Sequence, residues 1–165
     1  KSGLALVTDD LLVIRRKKNS FHVSPGTAQI KLFPEIAEKL LESSIGAPMN
    51  PESRKLIIPL DKNCIVTHSV PIKVLYVIEP RAENNEIKIK EIKPNKATLE
   101  ILKASYNLAV QNQKRLNRQF FFATDLAKTL PIRSISYPRH LTDLPKVQDT
   151  ILKDLASLWP KNKFP

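Results

Sequence analysis

The sequence predicts an α/β protein in which strands come first and helices gather toward the C-terminus. Short apolar runs rich in β-branched residues, separated by turn dipeptides, fill the first half. Glu86-Ile87-Lys88-Ile89-Lys90-Glu91-Ile92 alternates with period two, and from about Thr98 onward the apolar residues recur at helical spacing.

Gly3-Leu4-Ala5-Leu6-Val7-Thr8 is an apolar run that reads as a buried strand ending in Asp9-Asp10. Leu11-Leu12-Val13-Ile14 then reads as a second strand running into a basic hairpin tip, Arg15-Arg16-Lys17-Lys18-Asn19, from which Phe21-His22-Val23 returns. Ser24-Pro25-Gly26-Thr27 is a turn by its Pro-Gly pair. Pro34 suits a first helical turn, and Ile36, Ala37, Leu40 and Leu41 fall on one face of a helix expected to end near Ser43-Ser44. Gly46, Pro48 and Pro51 make Ile45 to Arg54 a loop, and Lys55 to Leu60 follows as a strand.

Val70 to Ile78, apolar on both faces toward its end, is the strongest strand by composition and is expected centrally in a sheet, with Glu86 to Ile92 nearer an edge. Thr98 is a candidate cap for a helix carrying Leu99, Leu102, Tyr106 and Ala109 on one face. Leu116, Phe120, Ala123, Ala127 and Leu130 mark the second arm of a helical hairpin, which Pro131 stops. Ile132 to Tyr137 reads as a strand, and Val147, Ile151, Leu155 and Leu158 define a last helix over Leu144 to Leu158. Consecutive helical residues point about 100° apart, so Phe120-Phe121-Phe122 is no stacking platform, and at least two of the three are expected in the core.

At 165 residues, with 42% hydrophobic and 26% charged residues, the chain has the makings of one folded domain and no segment polar enough for disorder. No run reaches the length of a membrane span and the N-terminus lacks a secretory signal, so a soluble cytoplasmic protein is expected. A single cysteine, Cys64, has no disulfide partner and reads as a small buried hydrophobe. The net charge of +11 favours phosphates, acidic partners or nucleic acid without choosing among them.

The chemistry-bearing candidates are few. His22, His68 and His140 are isolated in sequence and make no metal or nucleophile pattern. An acidic pair at the end of an apolar strand suits a nucleotide enzyme, where carboxylates hold magnesium or take a proton from the attacking hydroxyl. On pattern alone such a pair is more often a solvated turn or a helix cap. The partner motif, G-x-x-x-x-G-K-[ST], is absent: the glycines are Gly3, Gly26 and Gly46 only. Glu79, at the end of the Val70 to Ile78 strand, is a further candidate for the same site, with a surface pairing to Arg81 the commoner outcome.

Leu6-Val7-Thr8-Asp9-Asp10-Leu11-Leu12, Ser24-Pro25-Gly26, Leu32-Phe33-Pro34, Val74-Leu75-Tyr76-Val77-Ile78-Glu79, Ser105-Tyr106-Asn107, Arg118-Gln119-Phe120 and Tyr137-Pro138-Arg139-His140-Leu141 occur in one order. Together they resemble the HPr serine kinase/phosphorylase family and its smaller relatives, over nearly the whole chain. The resemblance implies a P-loop phosphotransferase of the HPr kinase / phosphoenolpyruvate carboxykinase type, with a mixed sheet, flanking helices and a C-terminal helical part. It implies transfer of phosphate from ATP, with Mg2+, to a serine hydroxyl of a protein, peptide or small molecule. Asp9 then matches the catalytic acid or base and Asp10 the acid near magnesium, although the sequence does not decide which does which. Arg139 matches a basic position for which a substrate contact and a structural ion pair are equally open. Family members can be homo-oligomers.

Two departures accompany the match. The phosphate loop is missing, which makes residues 1–165 a single HPr-kinase-like domain expected to continue N-terminally through that loop and its helix. The segment after Gly26 also lacks the glycine-rich signature of the carrier-protein kinase, which favours a relative of that enzyme. The alternative reading is a non-catalytic basic module that binds an acidic protein or nucleic acid.

Overall fold

Lys18 and Asn19 connect two strands directly: β1 (Val13–Lys17) and β2 (Ser20–Ser24) are antiparallel, with Arg15 opposite His22 and Lys17 opposite Ser20. The turn holds Lys18 at a left-handed φ of 52°, as tight hairpin connections demand. The structure is a computed structural model that describes residues 3–42, 45–80, 86–105 and 112–159. Its chain divides into two compact units, Lys1–Ile72 and Lys73–Pro165. Among the described residues it is an α/β protein with three three-stranded sheets and four α-helices. No helix among them is long and apolar enough to cross a membrane.

In the first unit, β6 (Val70–Pro71) pairs with β2 to complete the order β1-β2-β6. Phe21 and Val23 point to the buried side of that sheet, and Phe21 is fully enclosed. A second antiparallel sheet has the order β3-β5-β4, from β3 (Gln29–Leu32), β4 (Ala47–Asn50) and β5 (Ser53–Pro59). Helix α1 (Pro34–Leu41) begins on its proline as expected and buries Ala37. The expected helix end at Ser43-Ser44 lies outside the described residues.

Three expectations for this unit are corrected. Gly3 to Thr8 forms no strand: Leu6 alone makes a parallel bridge to Ile65, and Gly3, Leu4 and Ala5 are exposed. The loop expected around Pro48 and Pro51 contains β4. It is an edge strand, where a proline sacrifices no needed ladder bond, and its register shifts between Pro48 and Asn50. Cys64 is exposed, at the end of a short 3-10 turn over Lys62–Cys64.

In the second unit, β7 (Leu75–Ile78) runs parallel to β9 (Ile132–Ser136), and β8 (Lys88–Glu91) runs antiparallel to it, in the order β7-β9-β8. The Val70 to Ile78 run is therefore two strands in different sheets, and its second half is an edge; β9 is central. Helix α2 (Pro94–Ala104) starts four residues before Thr98, whose hydroxyl instead donates to the Pro94 carbonyl at 2.9 Å. Residues Tyr106 and Ala109 lie outside the described residues.

Helix α3 (Gln113–Thr129) is capped by Asn112, whose side chain accepts from the N–H groups of Lys114 and Arg115. It packs on α2, and Ile92, Ala97, Ala127 and Ile132 form the core there, with Leu75, Val77, Ile101 and Leu130 against them. Small residues make the close approach, so the expectation for the phenylalanines fails: Phe120 and Phe121 are 50% and 69% exposed, and only Phe122 is half-buried.

Helix α4 (Leu144–Leu158) spans the expected residues. Its Asp154 accepts the Tyr76 hydroxyl at 2.6 Å and pairs with Arg133 at 2.7 Å, which ties α4 to both parallel strands.

Candidate functional site

Asp9 and Asp10 sit at an exposed bend held on three sides. On the N-terminal side, the Leu6 N–H donates to the Cys64 carbonyl and the Val66 N–H donates to the Leu6 carbonyl, both at 2.8 Å. Beneath the bend, the Gly26 N–H donates to the Val7 carbonyl at 2.8 Å. A Cβ at residue 26 would lie 2.5 Å from Thr8 Oγ1, so only glycine permits this approach. On the C-terminal side, Thr8 Oγ1 donates to the Leu11 carbonyl at 3.0 Å, closing the bend around the two acids.

Lys31 on β3 binds both carboxylates. β3 is an edge strand, so alternate N–H groups point away from β5, and the one at Lys31 donates to Asp9 Oδ2 at 3.0 Å. The same residue's Nζ donates to Asp10 Oδ2. The bond from Asp10 raises the Lys31 pKa; burial works in the opposite direction, and the charges of Asp10 and Asp9 add to the rise. Asp9 and Asp10 each retain an Oδ1 with no hydrogen-bond partner among the described residues.

The donor set is therefore two adjacent carboxylates with one free oxygen each, beside an ammonium group. Mg2+ takes one or two carboxylates and fills its remaining positions with water and phosphate oxygens. The pair supplies two carboxylates of that kind; among the described residues no group of three or more His, Cys, Asp or Glu converges, here or elsewhere. Lys31 was not singled out by sequence reasoning. A lone cation between Ile30 and Leu32 was its only signal, and its partners lie 22 and 21 residues away.

Arg139 belongs to the second unit, at the carboxyl ends of β7 and β9. Its Nη2 donates to the Glu79 carbonyl at 3.1 Å and its guanidinium lies 5.2 Å from the centre of the Tyr137 ring. The Glu79 N–H in turn donates to the Ile135 carbonyl at 2.9 Å. Arg139 is thus held by a backbone oxygen and an aromatic face while remaining exposed to an anion. Arg81, the expected partner of Glu79, lies outside the described residues.

His22 is half-buried with Nε2 3.1 Å from Ser20 Oγ, and His68 and His140 are exposed. No family model, curated protein or solved structure matches this chain.

Proposed function

We propose that this chain forms most of the catalytic domain of an ATP- and Mg2+-dependent kinase of the HPr-kinase-like type, which phosphorylates a serine hydroxyl. The observation that carries the reading is the Asp9–Asp10–Lys31 arrangement: two exposed carboxylates fixed through their Oδ2 atoms, with both Oδ1 atoms open among the described residues. It brings Leu6 to Leu12 against Gly26, two of the strings on which the resemblance rests, and beside Lys31, which immediately precedes a third, Leu32 to Pro34.

In this reading Asp9 is the base. Its carboxylate is anchored by a backbone N–H, so Oδ1 can accept the serine proton as the serine oxygen bonds the terminal phosphorus and the bond to ADP breaks. Asp10 would hold Mg2+, and the ion would supply charge neutralisation toward phosphate oxygens. Lys31 offsets the repulsion between the two neighbouring carboxylates. Arg139, in the second unit, matches a basic position of that family, and its exposed guanidinium suits an anionic group. No residue of this chain is assigned to cradling the phosphates of ATP.

The test uses the full-length protein, with ATP binding by calorimetry in Mg2+ and transfer of labelled terminal phosphate to a serine-peptide library. Asp9→Asn is expected to slow transfer by about 10²–10⁴-fold while ATP still binds. An intact protein that binds no ATP, together with Asp9→Asn transfer equal to wild type, would refute the proposal.

The net charge of +11 supports a second reading, a non-catalytic module for an acidic protein or nucleic acid. Its binding must weaken steeply as salt rises, and the absence of binding at low salt removes it.

A further inference from the structure

β1 is an edge of its sheet, and among the described residues no strand lies along its outer side. An open edge presents unpaired backbone N–H and C=O groups to any extended chain. This edge is also cationic. Arg15, Arg16, Lys17 and Lys18 are all exposed, and among the described residues no carboxylate pairs with Arg15, Lys17 or Lys18.

Alternation along the strand puts Arg15 and Lys17 on one face, above His22 and Ser20, and Arg16 on the other. Arg16 serves the hairpin itself: its guanidinium lies 5.6 Å from the centre of the buried Phe21 ring and its Nε donates to the Lys18 carbonyl at 3.3 Å. The Ser20 hydroxyl donates to the Lys17 carbonyl at 3.1 Å. The turn is thus braced before any partner arrives. Leu11 and Leu12, just upstream, and Val13, the first residue of β1, are 55%, 55% and 50% exposed, an apolar lead-in to the cations.

We propose that β1 is a docking edge for an extended acidic peptide, which adds beside it as a further strand. Backbone bonds to β1 supply the pairing, and acidic side chains at alternate positions meet Arg15 and Lys17. Charge complementarity selects this occupant. A second copy of the chain would bring the same run of four cations to the interface, which is repulsive. A nucleic acid has no amide ladder to extend the sheet, and the hairpin's one phenyl ring, Phe21, is 0% exposed and offers no stacking surface. The inference does not rest on the kinase reading, because its readout is binding alone.

The experiment titrates full-length protein with a fluorescent eight-residue peptide alternating glutamate and valine, followed by anisotropy at low salt. The expected results are saturable binding, a loss of at least about tenfold in Arg15→Gln/Lys17→Gln, and a comparable loss when alternate peptide amides are N-methylated, which leaves the charge untouched. Circular dichroism checks that the variant is folded, and the methylated peptide tests the idea with the unaltered protein. Equal binding of the methylated peptide would overturn strand addition. Tighter binding of a 20-base-pair duplex than of the peptide would overturn the choice of partner. So would absence of peptide binding with self-association of the double variant, since the cations would then serve only to keep β1 from pairing with other copies.

Discussion

Replacing Asp154 with alanine removes the one acid that both Arg133 and Tyr76 reach. The side chains of Arg133 and Asp154 are only 18% and 10% exposed, so solvent screens their attraction weakly. Arg133 Nε already lacks a partner, and the variant would leave the guanidinium with an uncompensated charge at a largely enclosed position. Breaking a buried pair in this way costs about 3–5 kcal/mol. With a urea dependence of about 1–3 kcal/mol per molar, the midpoint should fall by roughly 2 M. Trp159 follows α4 directly and its N–H donates to the Leu155 carbonyl at 3.1 Å, so its fluorescence reports release of the helix. Tyr76→Phe deletes a single hydrogen bond to a charged group and should cost about 1.5–3 kcal/mol. The double variant should lose less than the sum, because the phenol has already lost its acceptor in Asp154→Ala. Replacing Arg133 and Asp154 together by apolar residues should restore much of the loss, since the desolvation cost disappears with the charges. A midpoint for Asp154→Ala within about 0.3 M of wild type would refute the assignment of this cluster as the attachment of α4.

Further outcomes concern pH, the bend and the helix cap. Burial, and then the bond to Asp154, raise the Tyr76 pKa well above its ordinary value. The folded protein keeps the phenolic proton after the unfolded chain begins to lose it near pH 10, so stability should decline as pH rises beyond about 10; Tyr76→Phe should flatten that decline in urea titrations. Gly26→Ala drives a Cβ to 2.5 Å from Thr8 Oγ1 and should cost about 1–3 kcal/mol, with Thr8→Ala restoring part of it in thermal unfolding. Asp10→Asn should return the Lys31 ammonium toward its ordinary titration range by NMR; an unchanged titration would mean that the pair does not form in solution. Asn112→Ala should cost about 1 kcal/mol by removing the cap of α3, measured by thermal denaturation.

The sequence made the helices legible where one apolar stripe meets one packing surface. Val147, Ile151, Leu155 and Leu158 define α4 to the residue. The reading fell short where pairing partners decide the outcome. Gly3 to Thr8 is apolar enough for a strand, but only Leu6 finds a neighbour, Ile65. Pro48 argues locally against a strand, yet β5 supplies pairing along one side of an edge, where the missing N–H costs nothing. Val70 to Ile78 is continuous in composition but divides between two sheets, a boundary that no local preference marks. In α3, alanines rather than phenylalanines make the close contact, because a helix approaches α2 most tightly where side chains are small. The acidic pair itself stood out in the sequence, but Lys31 did not, since its role exists only once the edge of β3 reaches the bend.

The two acids depend on Lys31 in unequal ways. Asp9 is held by a main-chain N–H, which every residue except proline supplies, whereas Asp10 is held by the side chain. Drift at position 31 would therefore leave the placement of Asp9 intact and release Asp10, while Lys31→Pro alone would free both. The arrangement makes the orientation of one carboxylate robust to almost any mutation and leaves that of the other adjustable by a single residue.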